Sequence, residues 1–226
     1  MSTDAPSNVA GLILAAGSGR RFSAEGGTGP KLLADVSGRP LVAHAIDGAR
    51  HAGLDPLVVV LPPGSEALRA AIIAADPDVR LVVNSAAASG IASSVAAGLD
   101  ALGRLPGDER SDDELSGACV VLLADQPGIG ASTIDAVLEA WRRTGRPARA
   151  RYDDGPGHPV VLPRTDWSRI GAHLRPAAKD IGSDEGARSM LDDLEVVEVV
   201  IAGPAPVDVD VPHDLSRADP AHRTAR

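Results

Sequence analysis

Aromatic residues are nearly missing from this chain, whose 226 residues include two Trp, one Tyr and one Phe. A core must therefore come from Val, Leu, Ile and Ala, a composition that suits parallel strands covered by helices on both faces rather than a small barrel. Cysteine is almost absent too. The single Cys119 lies in the apolar run from Ala118 to Leu123, which rules out an internal disulfide framework and reads as a reduced, packed thiol. Positive charge is in deficit: 22 Lys and Arg against 31 Asp and Glu give a formal net charge of -9, which repels a polyanion over most of the surface and argues against a nucleic-acid partner. No apolar run approaches the roughly 20 residues that span a bilayer. Met1 to Val9 is polar and lacks the basic and then apolar pattern of a leader. The expectation is a soluble cytoplasmic protein with no membrane partner.

With 44% hydrophobic residues, the length suits a single α/β domain. Residues 1–8 read as a flexible tail, 9–215 as the domain and 216–226 as a second tail. Val9 to Ala15 reads as a buried strand, followed by a long loop to Pro40. Apolar residues at helical spacing predict a helix over Pro40 to Ala52, stopped by Gly53. Strand and helix then alternate: strands at Leu57 to Leu61, Arg80 to Asn84 and Ala118 to Ala124, helices near Ser65 to Ala75 and Ile91 to Leu102. That repetition implies right-handed crossovers and a mainly parallel sheet. Gly103 to Gly117 is charged and reads as a surface loop. A helix is expected over Ser132 to Arg143, capped by Ser132, with Trp141 in the core. Beyond it come a ribbon around Ala148 to Pro163, a helical patch near Asp184 to Leu194 and a strand-like Val196 to Ile201, where the sheet becomes mixed.

Ligands of open parallel sheets bind beyond the carboxyl ends of the strands. The first strand ends in LAAGSGRRF, where two glycines let backbone N–H groups approach phosphate oxygens, followed by Arg20, Arg21 and, further on, Lys31. The pattern is neither a Walker loop nor a dinucleotide GxGxxG. Asp125 follows the apolar run Val120 to Ala124 and precedes Pro127, a natural position for a Mg²⁺ ligand. Magnesium takes one or two carboxylates together with waters and substrate phosphates, so a second carboxylate is needed. Asp208 and Asp210 are the candidates. Strand alternation allows only one of them to face a given side, and Asp210, beside the Val211-Pro212 turn, is preferred. His158 in GHP could donate a hydrogen bond to an acceptor or act as a base, and Arg188 in DEGAR could grip an acceptor phosphate.

Taken together, LAAGSGRRF with PKLL, SGRPLVAHAI, NSAAASGIASSVAAGL, VVLLADQPGI, GPGHPVVLPR, DEGAR and VDVDVPHDL resemble, in order, the MobA-like nucleotidyltransferase superfamily. Among its members the molybdenum cofactor cytidylyltransferases are the most similar. The resemblance runs from Val9 to Leu215. It implies a Rossmann-like three-layer α/β nucleotidyltransferase fold with a mainly parallel, partly mixed central sheet. It also implies Mg²⁺-dependent transfer of CMP from CTP to the terminal phosphate of a molybdopterin-type cofactor, and a molybdoenzyme or its chaperone as recipient of the product.

By the same resemblance, Arg21, Lys31 and Asp125 are catalytic. Leu14, Ala15, Ala16, Gly17, Gly19, Arg21, Lys31, Asn84, Gly90 and Ser93 enclose the nucleotide, Asp125 and Asp210 hold the metal, and His158 and Arg188 lie near the acceptor. Relatives that use GTP tend to carry Gly-Gly where this chain has Ala16-Gly17, so the match leans toward cytosine. Phe22 stands where Met is usual, and the stretch Ser23 to Pro30 lengthens the path to Lys31. The alternatives are a guanylyltransferase, transfer to another phosphorylated small molecule, and a recruited member acting as a cofactor chaperone or a nicotine-blue-type oxidoreductase.

Overall fold

A computed structural model describes residues 8–104, 117–174 and 194–218. A seven-stranded sheet lies at its centre, in the order β5-β4-β1-β6-β8-β7-β9. The strands are β1 (Val9–Leu14), β4 (Leu57–Leu61), β5 (Arg80–Val83), β6 (Ala118–Leu123), β7 (Ala148–Tyr152), β8 (Gly155–Pro163) and β9 (Val197–Val200). β5, β4, β1 and β6 are mutually parallel, β8 runs antiparallel to both β6 and β7, and β9 pairs parallel with β7. The expected mixed sheet is thus present, and β8 is the strand that reverses it.

The central strands are buried on both faces, as their unbroken apolar runs require. One layer contains α2 (Leu41–His51), α3 (Glu66–Ala75) and α5 (Ala131–Thr144), whose apolar sides join Ile13, Val59, Val120 and Val161. The other contains α4 (Ile91–Gly103) and α6 (Arg164–Leu174), packed on Leu12, Val58, Val121 and Leu162. Trp141 sits in the first layer at 5% exposure, so it is core, and Cys119 is fully buried. Burial pushes the Cys119 thiol well above its ordinary pKa.

Several local expectations are corrected. The interval from Gly17 to Pro40 contains α1 (Arg20–Ala24), a 3-10 turn at Lys31–Leu33 and a hairpin of β2 (Asp35–Val36) and β3 (Arg39–Pro40). None of these pieces is long enough to show periodicity. Ser37 and Gly38, both with positive φ, make the hairpin turn. Ser132 does not cap α5: the helix begins at Ala131 behind Gly130 with no side-chain cap, which puts Ser132 inside the first turn. At the other end of the chain, α7 (Asp214–Ala218) continues past Leu215, and Ala218 is buried in the core. Most of the helical patch near Asp184 and of the Gly103 to Gly117 loop lies outside the described residues, as does Arg188.

From β1 the chain crosses to β4 and β5 on one side, and only then returns through α4 to β6 on the other. This change of direction opens a crevice beyond the carboxyl ends of β1 and β6, where ligands of such sheets bind. Leu14 pairs with Leu123, and the ladder continues through Ala124 N–H donating to the Leu14 carbonyl at 3.1 Å. The Gly17–Gly19 turn and Asp125 therefore leave the sheet side by side.

Candidate functional site

Leu14 ends β1 and Ala15 and Ala16 follow it, all with buried side chains, so only their backbone groups can face a ligand. Gly19, at φ 60, sits in the left-handed region and starts α1. A Cβ on Gly19 would lie 3.2 Å from Lys31 Cβ, so the turn and the lysine are in contact. The insertion before Lys31 therefore does not carry it away. Phe22 is buried at 2% exposure, and the chain folds back over it with the Gly27 N–H donating to the Phe22 carbonyl at 2.9 Å. The unusual Phe22 is thus the anchor of the insertion, which returns the chain to the crevice at Pro30.

Lys31 is the hub of the site. Its Nζ donates to Asp125 Oδ2 at 2.6 Å and reaches Asp210 Oδ1 at 3.5 Å, with a side chain only 9% exposed. Arg21 Nη1 donates to the other oxygen of Asp210 at 2.7 Å and is largely exposed. Four residues separated by up to 189 positions in sequence thus meet at one place. Asp210 is positioned by its backbone. The Asp214 carboxylate accepts from the N–H groups of Asp210 and Val211, both at 3.0 Å. The Val209 N–H also donates to the Asp125 carbonyl at 3.1 Å, tying the two acidic segments together.

Asp208 joins this group. Solvent reaches its side chain, yet crowding by the protein partly desolvates it, and Asp125 and Asp210 add negative charge nearby. Its pKa is pushed up to about 6, against the opposing effects of Gln126 and Lys31. The expectation that alternation would separate Asp208 from Asp210 is therefore corrected: this segment is not a strand, so the period of two does not apply. Sequence reasoning weighed Asp208 and set it aside, and it missed Gln126 and Asp214 altogether. The VDVDVPHD spacing was the available signal for Asp214, which turns back to cap the turn that presents Asp210.

The donor set fits a hard divalent cation. Asp125 and Asp210 present carboxylate oxygens to one point, and three carboxylates outnumber the two cations among them. Gln126, beside Asp125, is 7% exposed, and its Oε1 is a buried side-chain oxygen without a hydrogen-bond partner among the described residues. An unsatisfied buried acceptor next to the carboxylates is what a hydrated cation would complete.

The second wall follows β5. Asn84 is buried, and its Nδ2 donates to Ser93 Oγ at 2.9 Å and Ser94 Oγ at 3.1 Å, while its Oδ1 accepts from the Ala86 N–H at 2.9 Å. Ser93 Oγ in turn lies within donating distance of the Ala86 and Gly90 carbonyls. Asn84 and Ser93, expected to touch nucleotide, are brought together here as an internal clasp. Their side chains hydrogen-bond one another and the backbone of the 85–90 loop, and so shape it. Gly90, at φ 102, closes that loop onto α4. Ala87 and Ile91 pack in the same cluster as Leu14 and Ala16, so the loop adjoins the glycine turn.

His158 lies in the first half of β8, toward the crevice end. Its Nδ1 donates to the Val121 carbonyl at 3.2 Å, and the Tyr152 hydroxyl donates to the His158 carbonyl at 2.8 Å. Burial lowers its pKa, opposed by the Val121 bond and by Asp125. A neutral ring with Nδ1 protonated keeps a lone pair on Nε2, making that atom a hydrogen-bond acceptor.

Known proteins share this chain's family and fold. A family model described as the MobA-like NTP transferase domain matches residues 11–199. The nicotine blue oxidoreductase of Paenarthrobacter nicotinovorans is 36% identical over 197 residues, 84% of this chain and 83% of that protein. The crystal structure of Rv0371c from Mycobacterium tuberculosis H37Rv superposes with a TM-score of 0.73 at 27% identity, covering 94% of this chain and 97% of that one. The same protein has been solved in complex with manganese. A nucleotidyl transferase from Methanothermobacter, at 17% identity and TM-score 0.71, covers 97% of this chain and all of its own, and shares the fold.

Proposed function

Because this chain belongs to the MobA-like NTP transferase family, we propose that it is a Mg²⁺-dependent nucleotidyltransferase. It moves CMP from CTP to the terminal phosphate of a molybdopterin-type cofactor and releases pyrophosphate. The observation that carries this reading is the meeting of Lys31 and Arg21 with Asp125 and Asp210 in the crevice between β1 and β6.

In such a transfer an acceptor phosphate oxygen attacks the α-phosphorus, a new P–O bond forms, and the bond to the β-phosphate breaks. The attacking oxygen is already anionic, so alignment and charge neutralisation carry the catalysis and no strong base is needed. Asp125 and Asp210 would hold a divalent ion, which supplies neutralisation of the phosphate oxygens when bound. Lys31, nearly buried, provides one positive charge in the crevice, and the largely exposed Arg21 provides a second. Backbone N–H groups of the Gly17–Gly19 turn can approach phosphate oxygens closely. His158 Nε2 would orient the acceptor by accepting a hydrogen bond. Ala16 supports cytosine over guanine. The manganese complex of the Rv0371c structure supports a divalent metal.

A second reading is favoured by the 36% identity to nicotine blue oxidoreductase, and it assigns this chain redox turnover of such a substrate. Purified protein incubated with CTP, Mg²⁺ and molybdopterin cofactor decides between them. Pyrophosphate release is the expected result, release with GTP alone changes the nucleotide, and redox turnover of nicotine blue without any pyrophosphate overturns the proposal.

A further inference from the structure

The cations that would neutralise phosphate and the carboxylates that would hold metal are already spent on each other. Lys31 lies 2.6 Å from Asp125 and 3.5 Å from Asp210, and Arg21 takes the remaining oxygen of Asp210 at 2.7 Å. We propose that Lys31 is a placeholder counter-ion: it occupies the metal position between the two carboxylates until a phosphate ligand draws it away, so that metal and nucleotide bind by exchanging ion-pair partners and each is weak without the other. This rests on the reading of Asp125 and Asp210 as metal ligands.

These charges meet in a partly dry place. Lys31 is nearly buried and Asp125 is only one quarter exposed. A divalent ion arriving alone must enter beside an ammonium that lies within hydrogen-bond distance of Asp125, and like charges at that range repel strongly where water is partly excluded. A polyphosphate arriving alone must pull Lys31 and Arg21 from their carboxylates and leave those carboxylates unpaired and facing it. When both arrive, the ammonium and guanidinium move onto phosphate oxygens and the carboxylates move onto the metal, so every charge keeps a partner. Linkage then requires the effect to be reciprocal. Arg21, 79% exposed, contributes less because solvent screens it.

The test reads metal binding directly, by the loss of the free Mn²⁺ electron paramagnetic resonance signal on titration with the full-length protein and no nucleotide. Lys31→Met should bind Mn²⁺ on the order of tenfold or more tighter than the unaltered protein, since a unit positive charge leaves the immediate surroundings of the site. Arg21→Gln should tighten binding by about two- to threefold, and Asp125→Asn should abolish it. In the unaltered protein CTP should tighten Mn²⁺ binding, and this enhancement should be lost in Lys31→Met. Equal or weaker Mn²⁺ binding by a folded Lys31→Met protein overturns the proposal, as does unchanged binding by Asp125→Asn. Should Lys31→Met fail to fold, Arg21→Gln decides, because its exposed side chain leaves the core untouched; no gain there also overturns the proposal. If CTP has no effect on any variant while Lys31→Met still tightens Mn²⁺, the CTP assignment fails and the placeholder stands.

Discussion

Replacing Asn84 with alanine separates a residue that shapes the site from one that touches the ligand. The change removes three hydrogen bonds, to Ser93 Oγ, to Ser94 Oγ and from the Ala86 N–H, at 2.9, 3.1 and 2.9 Å. At about 1 kcal/mol net for each bond, the loss is about 3 kcal/mol. For a protein of this size about 1 kcal/mol corresponds to roughly 2–4 °C, so the melting temperature should fall by about 6–12 °C. Ser94→Ala removes one of the three bonds and should cost about 2–4 °C by the same conversion. The double substitution should cost less than the sum of the two, because the Asn84–Ser94 bond can be lost only once. Thermal unfolding by circular dichroism measures all three variants. At saturating nucleotide, Asn84→Ala should keep its kcat while KM rises, since the 85–90 loop loosens without losing a group that contacts the reacting atoms. A fall of under about 2 °C combined with a collapse of kcat would refute the clasp and make Asn84 a direct contact.

Asp125→Asn should preserve the fold but lower nucleotidyl transfer by about a hundredfold or more, on the scale of losing one transition-state charge partner; near-normal pyrophosphate release would remove Asp125 from the chemistry. His158 bears on acid stability. Its folded pKa lies below its ordinary 6.5, so as pH falls below that value the unfolded chain takes up a proton that the folded chain refuses, and stability drops until the folded pKa is passed. His158→Gln should accordingly show a smaller fall in melting temperature between pH 7.5 and pH 5 than the unaltered protein, and an equal fall would count against a buried neutral ring. Gly48 packs α2 against the segment after Asp125, where an added Cβ would lie 2.6 Å from the Ile129 carbonyl oxygen. Gly48→Ala should therefore destabilise by about 1–3 kcal/mol despite the better helix propensity of alanine, and an unfolding midpoint at or above the original would show that the loop moves freely.

The legible parts of this chain were those with enough residues to show a period. β1, β4 and β6 announced themselves as unbroken apolar runs, and Asp125 at the exit of one such run could be chosen by position alone. Lys31 was legible as a charge but not as a hub, because its reach depends on Phe22 folding the insertion back, a contact that no spacing reveals. Alternation could not separate Asp208 from Asp210, because their segment lacks strand geometry. Asn84 was legible as a polar residue at a strand end, yet its hydrogen bonds could not be seen without Ser94, whose hydroxyl meets it from α4.

β8 runs against its neighbours, so it presents its beginning, not its end, to the crevice. The half of the crevice that the proposed function assigns to nucleotide is made of strand exits locked into crossover connections, where any change in length would shift a helix and the layer beneath it. The other half is the mouth of a hairpin. Such a mouth can grow, shrink or change its side chains without moving β1, so under the proposed function the acceptor side can be retuned while the nucleotide side is left alone. On this architecture, relatives that differ in their second substrate should differ first around 153–158, and only rarely at Lys31 or Asp125.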